Sequence, residues 1–179
     1  MGIEIERRFL VDARSEKVWR SADSISIFQC YISGVSHIDD KIVWNGFELI
    51  EEQLELTNIS TWRIRKSDGN IVLTAKGFRT GATATEFEWG LPTELYESLP
   101  LDDLPSITKT RYLWPGEDGL LWEIDEFEGE LAGLVIAEVE LEHENQPVEI
   151  PEWTNLELTN LRGWSNSSLS TMVRDVIQS

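Results

Sequence analysis

The sequence predicts a mainly β protein of the α+β kind: an eight-stranded antiparallel closed barrel with a few short flanking helices. Two observations carry this prediction. Short segments that alternate apolar and polar residues, as half-buried strands do, recur along the chain and are separated by turn residues. Within those segments, charged residues recur two positions apart, which places them together on one face of each strand.

The first alternating segment covers residues 4–11. Glu4, Glu6 and Arg8 fall on one face, and mostly apolar residues fall on the other. Taken alone, this pattern is typical of an edge strand with one solvated face. Its meaning therefore depends on whether the same parity of charges recurs in the rest of the chain.

Further segments with the composition of strands follow the first one. They are residues 24–33, 60–66, 71–76, 83–91, 107–114, 120–127 and 134–143. Residues 67–70 are turn formers and join two of these strands into a hairpin. The Asn-Gly pair at 45–46 predicts another hairpin, between residues 42–44 and 47–49, while residues 48–56 fit either a strand or a helix.

Helical patterns are short and few. We expect a short helix within residues 12–23, another after Pro92, and a last helix over about 165–178 that begins at serine and asparagine residues suited to an N-cap. The chain, residues 1–179, is interpreted as a single domain, since no linker is clearer than the loop at 146–151.

Composition excludes several classes of protein. The chain has 33 acidic and 15 basic residues, for a net charge of −18, so general nucleic-acid binding is not expected. No apolar run approaches the ~20 residues of a membrane helix, and the N-terminus does not resemble a signal peptide. Cys30 is the single cysteine, which rules out an intrachain disulfide and makes the cytoplasm the expected location. The sequence leaves open whether the chain forms a homodimer.

Seven of the predicted strands carry charge on one face: six have charges two residues apart, and the seventh has Lys76 two residues after Thr74. The charged residues are Glu4, Glu6, Arg8, Arg63, Arg65, Lys76, Glu86, Glu88, Lys109, Arg111, Glu123, Asp125, Glu138 and Glu140. Two arrangements fit this pattern: an open sheet whose charged face meets water, or a barrel with the charges inside. Most strands carry charges of one sign, and the helices are too few to cover a wide apolar face. Both observations favour the barrel.

The charge distribution indicates the ligand. Eight acids and six bases belong to this set, so 25 acids and nine bases remain for the other residues. The bases are therefore concentrated on the inner face. Arg and Lys bind phosphate oxygens, and carboxylates bind hard cations such as Mg²⁺ or Mn²⁺. An enclosed site with both groups suits a polyphosphate that is bound together with divalent cations.

The ordered motifs resemble those of the CYTH family, also called triphosphate tunnel metalloenzymes. The family's N-terminal E-x-E-x-K is matched by Glu4, Glu6 and Arg8. The later matches are R-x-R at 63–65, L-T-x-K at 73–76, E-x-E at 86–88, K-T-R-Y at 109–112, W-E-I-D-x-F at 122–127, E-V-E at 138–140 and W-S-N-x-x-L at 164–169. The resemblance spans nearly the whole chain.

The resemblance implies a barrel-shaped tunnel, a small-molecule triphosphate substrate and Mg²⁺ or Mn²⁺. It implies metal ligands at Glu4, Glu6, Glu123, Asp125, Glu138 and Glu140. It implies phosphate contacts at Arg8, Arg63, Arg65, Lys76, Lys109 and Arg111. The catalytic candidates are Glu4, Glu6, Lys76, Glu123 and Asp125, and the other tunnel-lining residues are Glu86, Glu88 and Tyr31.

Two positions depart from the family pattern. Arg8 stands where the family usually has Lys, and its planar guanidinium binds phosphate differently from an ammonium. Many members also carry an Arg shortly before the middle E-x-E, where this chain has residues 83–85, Thr-Ala-Thr; Arg79 is the candidate substitute.

The sequence-based hypothesis is metal-dependent hydrolysis of a triphosphate, with inorganic tripolyphosphate as the favoured substrate. Two alternatives remain open. A class IV adenylate cyclase has the same fold but needs an adenine pocket, and a non-catalytic binder of polyphosphate or triphosphorylated metabolites needs only the charged tunnel.

Overall fold

The computed structural model describes residues 2–179 and contains the predicted closed barrel. The strands are β1 (Gly2–Val11), β2 (Asp23–Ile32), β3 (Ser36–Ile38), β4 (Lys41–Trp44), β5 (Phe47–Glu51), β6 (Ile59–Ser67), β7 (Asn70–Gly77), β8 (Thr83–Gly90), β9 (Ser106–Pro115), β10 (Leu121–Phe127), β11 (Val135–Glu140) and β12 (Thr154–Glu157). Eight of them pair antiparallel in the order β1-β11-β10-β9-β2-β6-β7-β8, and the pairing of β8 with β1 completes the circle. The predicted fold class is confirmed.

The strand register brings the charged doublets to one shared face. Arg8 is the cross-strand partner of Glu138, and Lys76 is the partner of Glu86. Directly paired residues in an antiparallel ladder point to the same side of the sheet. Because these side chains line an internal cavity, the shared face is the interior of the barrel.

Strand β2 completes the interior without a charged doublet. Its Gln29 pairs with Arg65, and its Tyr31 pairs with Arg63. The eighth inner face is therefore polar but neutral, which explains why a search for charged inner faces finds seven strands rather than eight.

A small sheet of β3, β4 and β5 covers one outer side of the barrel. The predicted turn between β4 and β5 is confirmed, with positive φ at both Asn45 and Gly46. Residues 48–56 are strand only as far as Glu51. Ile42 and Leu49 from this sheet are buried in one apolar cluster with Ile64 of the barrel wall, so the segment shields the wall from water.

The other outer side is covered by aromatic packing and by the C-terminal region. Trp19 and Trp122 are fully buried in a second apolar cluster that includes Phe9. The short helix expected within residues 12–23 is a 3₁₀ turn, Val18–Ser21. Strand β12, which pairs with β1, was not predicted.

Two α-helices form where short helices were expected. They are α1 (Thr93–Ser98) and α2 (Asn166–Gln178). The Ser165 hydroxyl caps α2, because its Oγ accepts a hydrogen bond of 3.1 Å from the Ser168 backbone N–H. Leu169 anchors the helix in an apolar cluster on the barrel. Among residues 2–179, no helix has the length and apolar character needed to cross a membrane.

Candidate active site

The barrel interior holds a cavity of about 920 Å³, a size typical of ligand pockets. Inward-facing residues of the barrel strands form most of its lining, and residues 78–81, 158–162 and 165–168 form the rest. The predicted site residues in the lining are Glu4, Glu6, Arg8, Tyr31, Arg63, Arg65, Lys76, Glu86, Glu88, Arg111, Glu123, Glu138 and Glu140. Lys109 and Asp125 lie behind this surface.

One group of charges lies at the accessible part of the cavity. We call Glu4, Glu6, Lys76 and Arg79 the open cluster. Lys76 Nζ donates to Glu4 Oε2 at 2.7 Å, and Arg79 Nη2 donates to Glu6 Oε1 at 2.7 Å and to Glu4 Oε2 at 3.2 Å. The N-terminal carboxylates thus share two basic partners, one from strand β7 and one from the loop after it.

Glu6 carries the most perturbed carboxylate of the open cluster. Burial, together with repulsion from Glu138 and Glu4, raises its pKa to about 8. Glu140 is also its direct cross-strand partner on β11, and like charges at paired positions repel. This surplus of carboxylate is a local charge that a divalent cation would neutralise.

The donor set fits a cation that shares the oxygens of a bound phosphate. No three acidic, histidine or cysteine side chains converge on one metal position within the described residues 2–179. Mg²⁺ in phosphate-handling sites is usually held by one or two carboxylates together with substrate phosphates and water, so a complete protein cage is not required. The paired positions Glu6–Glu140 and Glu123–Glu138 supply such carboxylates.

A basic surface lies opposite these carboxylates. Arg63 Nη2 donates to Thr74 Oγ1 at 3.1 Å and lies 3.8 Å from both Glu86 and Glu88. Its buried Nε has no hydrogen-bond partner within residues 2–179. An unpaired, buried donor on a guanidinium is costly unless a ligand supplies the acceptor.

Arg65 has the least compensated positive charge of the site. Its Nε donates to the neutral Gln29 Oε1 at 3.3 Å, and no carboxylate within the described chain forms an ion pair with it. Burial, aided by repulsion from Arg63 and Arg111, lowers its pKa to about 10. Arg65 therefore remains charged at neutral pH and is suited to an anionic ligand.

Tyr31 lies beside this basic surface. Its hydroxyl accepts a hydrogen bond of 2.7 Å from Gln29 Nε2, and burial raises its pKa, so the phenol stays protonated. The Tyr31–Gln29 pair fixes the amide that Arg65 contacts. Gln29 is fully buried and was missed by the sequence analysis, because a lone neutral residue in a strand carries no charge signal.

A second group of charges extends from the cavity surface, at Arg111 and Glu138, to the fully buried Lys109 and Asp125 behind it. We call Lys109, Arg111, Asp125 and Glu138 the sealed cluster. Lys109 and Asp125 are both 0% exposed, and Lys109 Nζ donates to Asp125 Oδ2 at 2.6 Å. Arg111 donates to both oxygens of Asp125, at 2.7 and 2.9 Å, and its Nη2 lies 3.6 Å from Glu138. Both Asp125 oxygens are thus occupied by basic partners.

The carboxylates of the sealed cluster are held in the ionised state. Burial alone would raise the pKa of Asp125, but Arg111 and Lys109 outweigh it and hold the pKa below the usual value. Arg8 and Arg111 likewise hold the pKa of Glu138 well below its usual range in spite of burial. Burial, with repulsion from Arg111, lowers the pKa of Lys109 to about 8.

Arg8 and the C-terminal segment connect the sealed cluster to the cavity. Arg8 Nε donates to Glu138 Oε1 at 3.1 Å, and its Nη1 donates to the Trp164 carbonyl at 3.0 Å. Lys109 Nζ also donates to Asn166 Oδ1 at 3.3 Å. The W-S-N-x-x-L segment therefore has contacts to the site that its composition alone did not reveal.

A family model described as the CYTH domain matches residues 2–174. The chain belongs to the CYTH family. The resemblance noted from the ordered motifs is confirmed, and the family assignment covers the barrel, the cavity and the first nine of the thirteen residues of α2.

Relatives of this CYTH chain include proteins of known name. An inorganic triphosphatase of Acetivibrio thermocellus is 36% identical over 172 residues, which cover 94% of each protein. An inorganic triphosphatase of Nitrosomonas europaea is 30% identical over 114 residues, 62% of this chain and 75% of that protein. A crystal structure of an inorganic triphosphatase matches with a TM-score of 0.59 and 25% identity over 95% of both chains.

Proposed function

We propose that the tunnel hydrolyses inorganic tripolyphosphate with Mg²⁺ or Mn²⁺. The main support for this proposal is Arg65, whose positive charge has no carboxylate partner within the described chain. It lines the same cavity as Arg63 and the crowded carboxylates around Glu6. This arrangement complements a chain of phosphates bound together with a cation. The relative that is 36% identical over 94% of the chain is named an inorganic triphosphatase, which supports the same substrate.

The phosphate contacts follow from which basic side chains reach the cavity. Arg63 and Arg65 have donors free of carboxylate partners, and a guanidinium binds phosphate oxygens in a bidentate manner. Lys76 and Arg111 line the same cavity from β7 and β9. Arg8 contributes a guanidinium whose Nη2 has no hydrogen-bond partner in the described chain.

The cation would be held by the cavity carboxylates at the paired positions Glu6–Glu140 and Glu123–Glu138, together with Glu4. When bound, it shields the charge of the phosphates and makes a nearby water more acidic. Glu123 lies at the cavity edge with 36% of its side chain exposed, and it is suited to orienting that water.

Basic residues stabilise the transferring phosphoryl group. Charge spreads over its three equatorial oxygens in the transition state. Hydrogen-bond donors that are already in place lower the free energy of this transition state, because they need not reorganise during the reaction. Lys76 and Arg111 are positioned by ion pairs to Glu4 and Asp125. We assign these two cations to this role, with Arg63 and Arg65 binding the rest of the phosphate chain.

Lys109 and Asp125 are assigned a supporting role. Both are fully buried, and both Asp125 oxygens bind basic side chains. We propose that the pair orients Arg111 and Asn166 rather than contacting metal or phosphate. Direct contact by either residue would require the sealed cluster to rearrange.

Phosphate release from tripolyphosphate tests the proposed activity. The protein is incubated with Mg²⁺ or Mn²⁺ between pH 7 and 10, with EDTA as the blank. Glu6→Gln and Arg65→Ala are expected to lose about 100-fold or more of the activity. Arg14→Ala is the matched control, because Arg14 is 90% exposed and pairs with Asp12 outside the cavity. Full activity of Arg65→Ala would contradict the residue assignment.

Two further readouts separate the alternatives. Incubation with ATP distinguishes a cyclase, which forms cyclic AMP, from a hydrolase, which releases phosphate. Tight tripolyphosphate binding without turnover in either metal would establish a binding protein and contradict the proposed hydrolysis.

A further inference from the structure

Arg79 stands apart from the other cations of the site because it lies on a loop. The loop joins β7 to β8, and the Arg79 side chain turns back into the cavity to reach the first strand. One guanidinium nitrogen, Nη2, is shared between Glu6 Oε1 at 2.7 Å and Glu4 Oε2 at 3.2 Å. A single positive group therefore bridges two carboxylates that would otherwise repel each other.

The backbone of this loop is fixed while the end of the side chain is accessible. Thr80 and Thr83 exchange backbone hydrogen bonds of 2.8 and 3.1 Å, and the Ala82 carbonyl accepts from the Glu6 backbone N–H at 3.1 Å. The Arg79 side chain is nevertheless 27% exposed. Besides the two carboxylates, its guanidinium contacts the Ala82 carbonyl of the same loop, to which Nη1 donates a hydrogen bond of 2.7 Å. Rotation of the side chain that breaks these bonds moves the guanidinium away from the carboxylates without movement of the barrel strands.

The barrel wall leaves space for the guanidinium beside Glu4. The direct cross-strand partner of Glu4 on β8 is Ala84, and Ala84 also lines the cavity. A methyl group at this inward position does not fill the region in front of Glu4.

We propose that Arg79 is a built-in counter-ion that occupies the place of a divalent cation between Glu4 and Glu6 and leaves these carboxylates when the cation is loaded. This inference rests on the proposed function, which assigns both carboxylates to the cation. Its consequence is that Arg79 competes with the cation and lowers the affinity of the substrate-free tunnel for metal. Once displaced, its guanidinium is free to bind phosphate in the same cavity.

The direction of the expected effect distinguishes competition from support. Removal of a residue that merely holds Glu4 and Glu6 in place would weaken metal binding. Removal of a competing cation strengthens it, because two charge-assisted hydrogen bonds no longer have to break. Hydrogen bonds to charged groups contribute enough for about a tenfold or larger change in affinity.

Calorimetric titration of Mg²⁺ into the triphosphate-free protein measures this competition. The titration is done with all variants at the same pH and in the same buffer. Arg79→Ala and Arg79→Gln are expected to bind Mg²⁺ about tenfold more tightly than the unaltered protein. Arg79→Lys, which keeps a cation, and Arg14→Ala, which changes an arginine outside the cavity, are expected to bind within about twofold of it.

The outcomes separate this inference from the proposed function. Unchanged or weaker Mg²⁺ binding in both neutral variants would overturn the competition while leaving the metal site intact. Absence of Mg²⁺ binding in the unaltered protein and in every variant would overturn the metal assignment itself, and the inference with it. Phosphate release by the unaltered protein then reports independently on the triphosphatase proposal.

Discussion

The open cluster and the sealed cluster lie on the inner face of the same barrel, yet their charges are compensated differently. In the sealed cluster, Asp125 accepts three hydrogen bonds from Lys109 and Arg111, and its pKa is lowered. In the open cluster, Glu6 is crowded by other carboxylates, and its pKa is raised to about 8. The Asp125 carboxylate of the sealed cluster is neutralised by basic side chains of the same chain, whereas the open cluster retains an excess of carboxylates.

This difference indicates that some of the charged motif residues stabilise the fold and that others bind the ligand. Buried ion pairs that are fully hydrogen-bonded hold the surrounding strands in register, and removal of one partner leaves an uncompensated charge. Crowded carboxylates and free guanidinium donors are costly in the empty tunnel, and ligands relieve that cost. We therefore expect changes of Lys109 and Asp125, which lie behind the cavity, to act on stability, and changes of residues that line the cavity to act on activity.

The largest expected effect is on the free energy of unfolding of Asp125→Ala. This change leaves Lys109 and Arg111 buried without their carboxylate, and the expected loss is about 3–5 kcal/mol. Urea unfolding followed by tryptophan fluorescence measures it. Glu88→Ala is the control, because that carboxylate is half exposed and lies 3.8 Å from its basic neighbour. Equal losses for the two variants would remove the distinction between the clusters.

Arg65→Ala is expected to change activity rather than stability. Its loss removes a partly buried cation that has no carboxylate partner, so kcat/KM for tripolyphosphate should fall about 100-fold while the unfolding midpoint stays close to that of the unaltered protein. Arg65→Lys should recover part of the activity, because it keeps the charge but loses the bidentate geometry. If Arg65→Ala instead lowers the unfolding midpoint and leaves kcat/KM unchanged, the role of Arg65 is structural.

The stability of the sealed cluster should depend on pH with a defined sign. The lowered pKa of Asp125 means that its ionised form adds stability above the usual pKa of 3.8, and this stability is lost as the pH falls through the lower, folded-state pKa. The difference in unfolding free energy between Asp125→Asn and the unaltered protein should therefore stay constant from pH 7 to about pH 5 and shrink as the pH falls below 3.8. A difference that stays constant below pH 3.8 as well would contradict the ion-pair explanation.

The smallest expected effect concerns the segment that closes the cavity. Ser165→Ala removes the cap of α2, which is expected to cost about 1 kcal/mol of unfolding free energy. Ser165→Asn should retain most of that stability, because asparagine is also a good N-cap residue. Identical unfolding curves for Ser165→Ala and the unaltered protein would show that the cap is not needed once Leu169 is packed.

The inner face of the barrel was predictable because it depends on a local rule. Side chains alternate along a strand, so charges two residues apart identify one face whatever the tertiary packing. The hairpin at Asn45 and Gly46 was predictable for a similar reason, since a two-residue turn needs positive φ at both positions. The match of the motifs in order, from Glu4 to Glu140, then indicated closure.

The degree of burial of each charged side chain was not predictable from that rule. Lys76 and Lys109 have the same strand parity, but one lines the cavity and the other is fully buried behind it. Asn166 and the C-terminal segment produce this difference, and their docking depends on contacts more than fifty residues away. Arg79 also escaped the doublet pattern, because it reaches the site from a loop and only the folded loop directs it there.

The most direct test of the account follows tripolyphosphate by ³¹P NMR in the presence of the protein and Mg²⁺. We expect the tripolyphosphate signals to be replaced by those of pyrophosphate and orthophosphate in equal molar amounts. The same sample of Arg65→Ala should show at least about a 100-fold slower loss, with its fold retained. Persistence of tripolyphosphate with the unaltered protein, in Mg²⁺ and in Mn²⁺ alike, would contradict the central claim that this charged tunnel is a triphosphatase site.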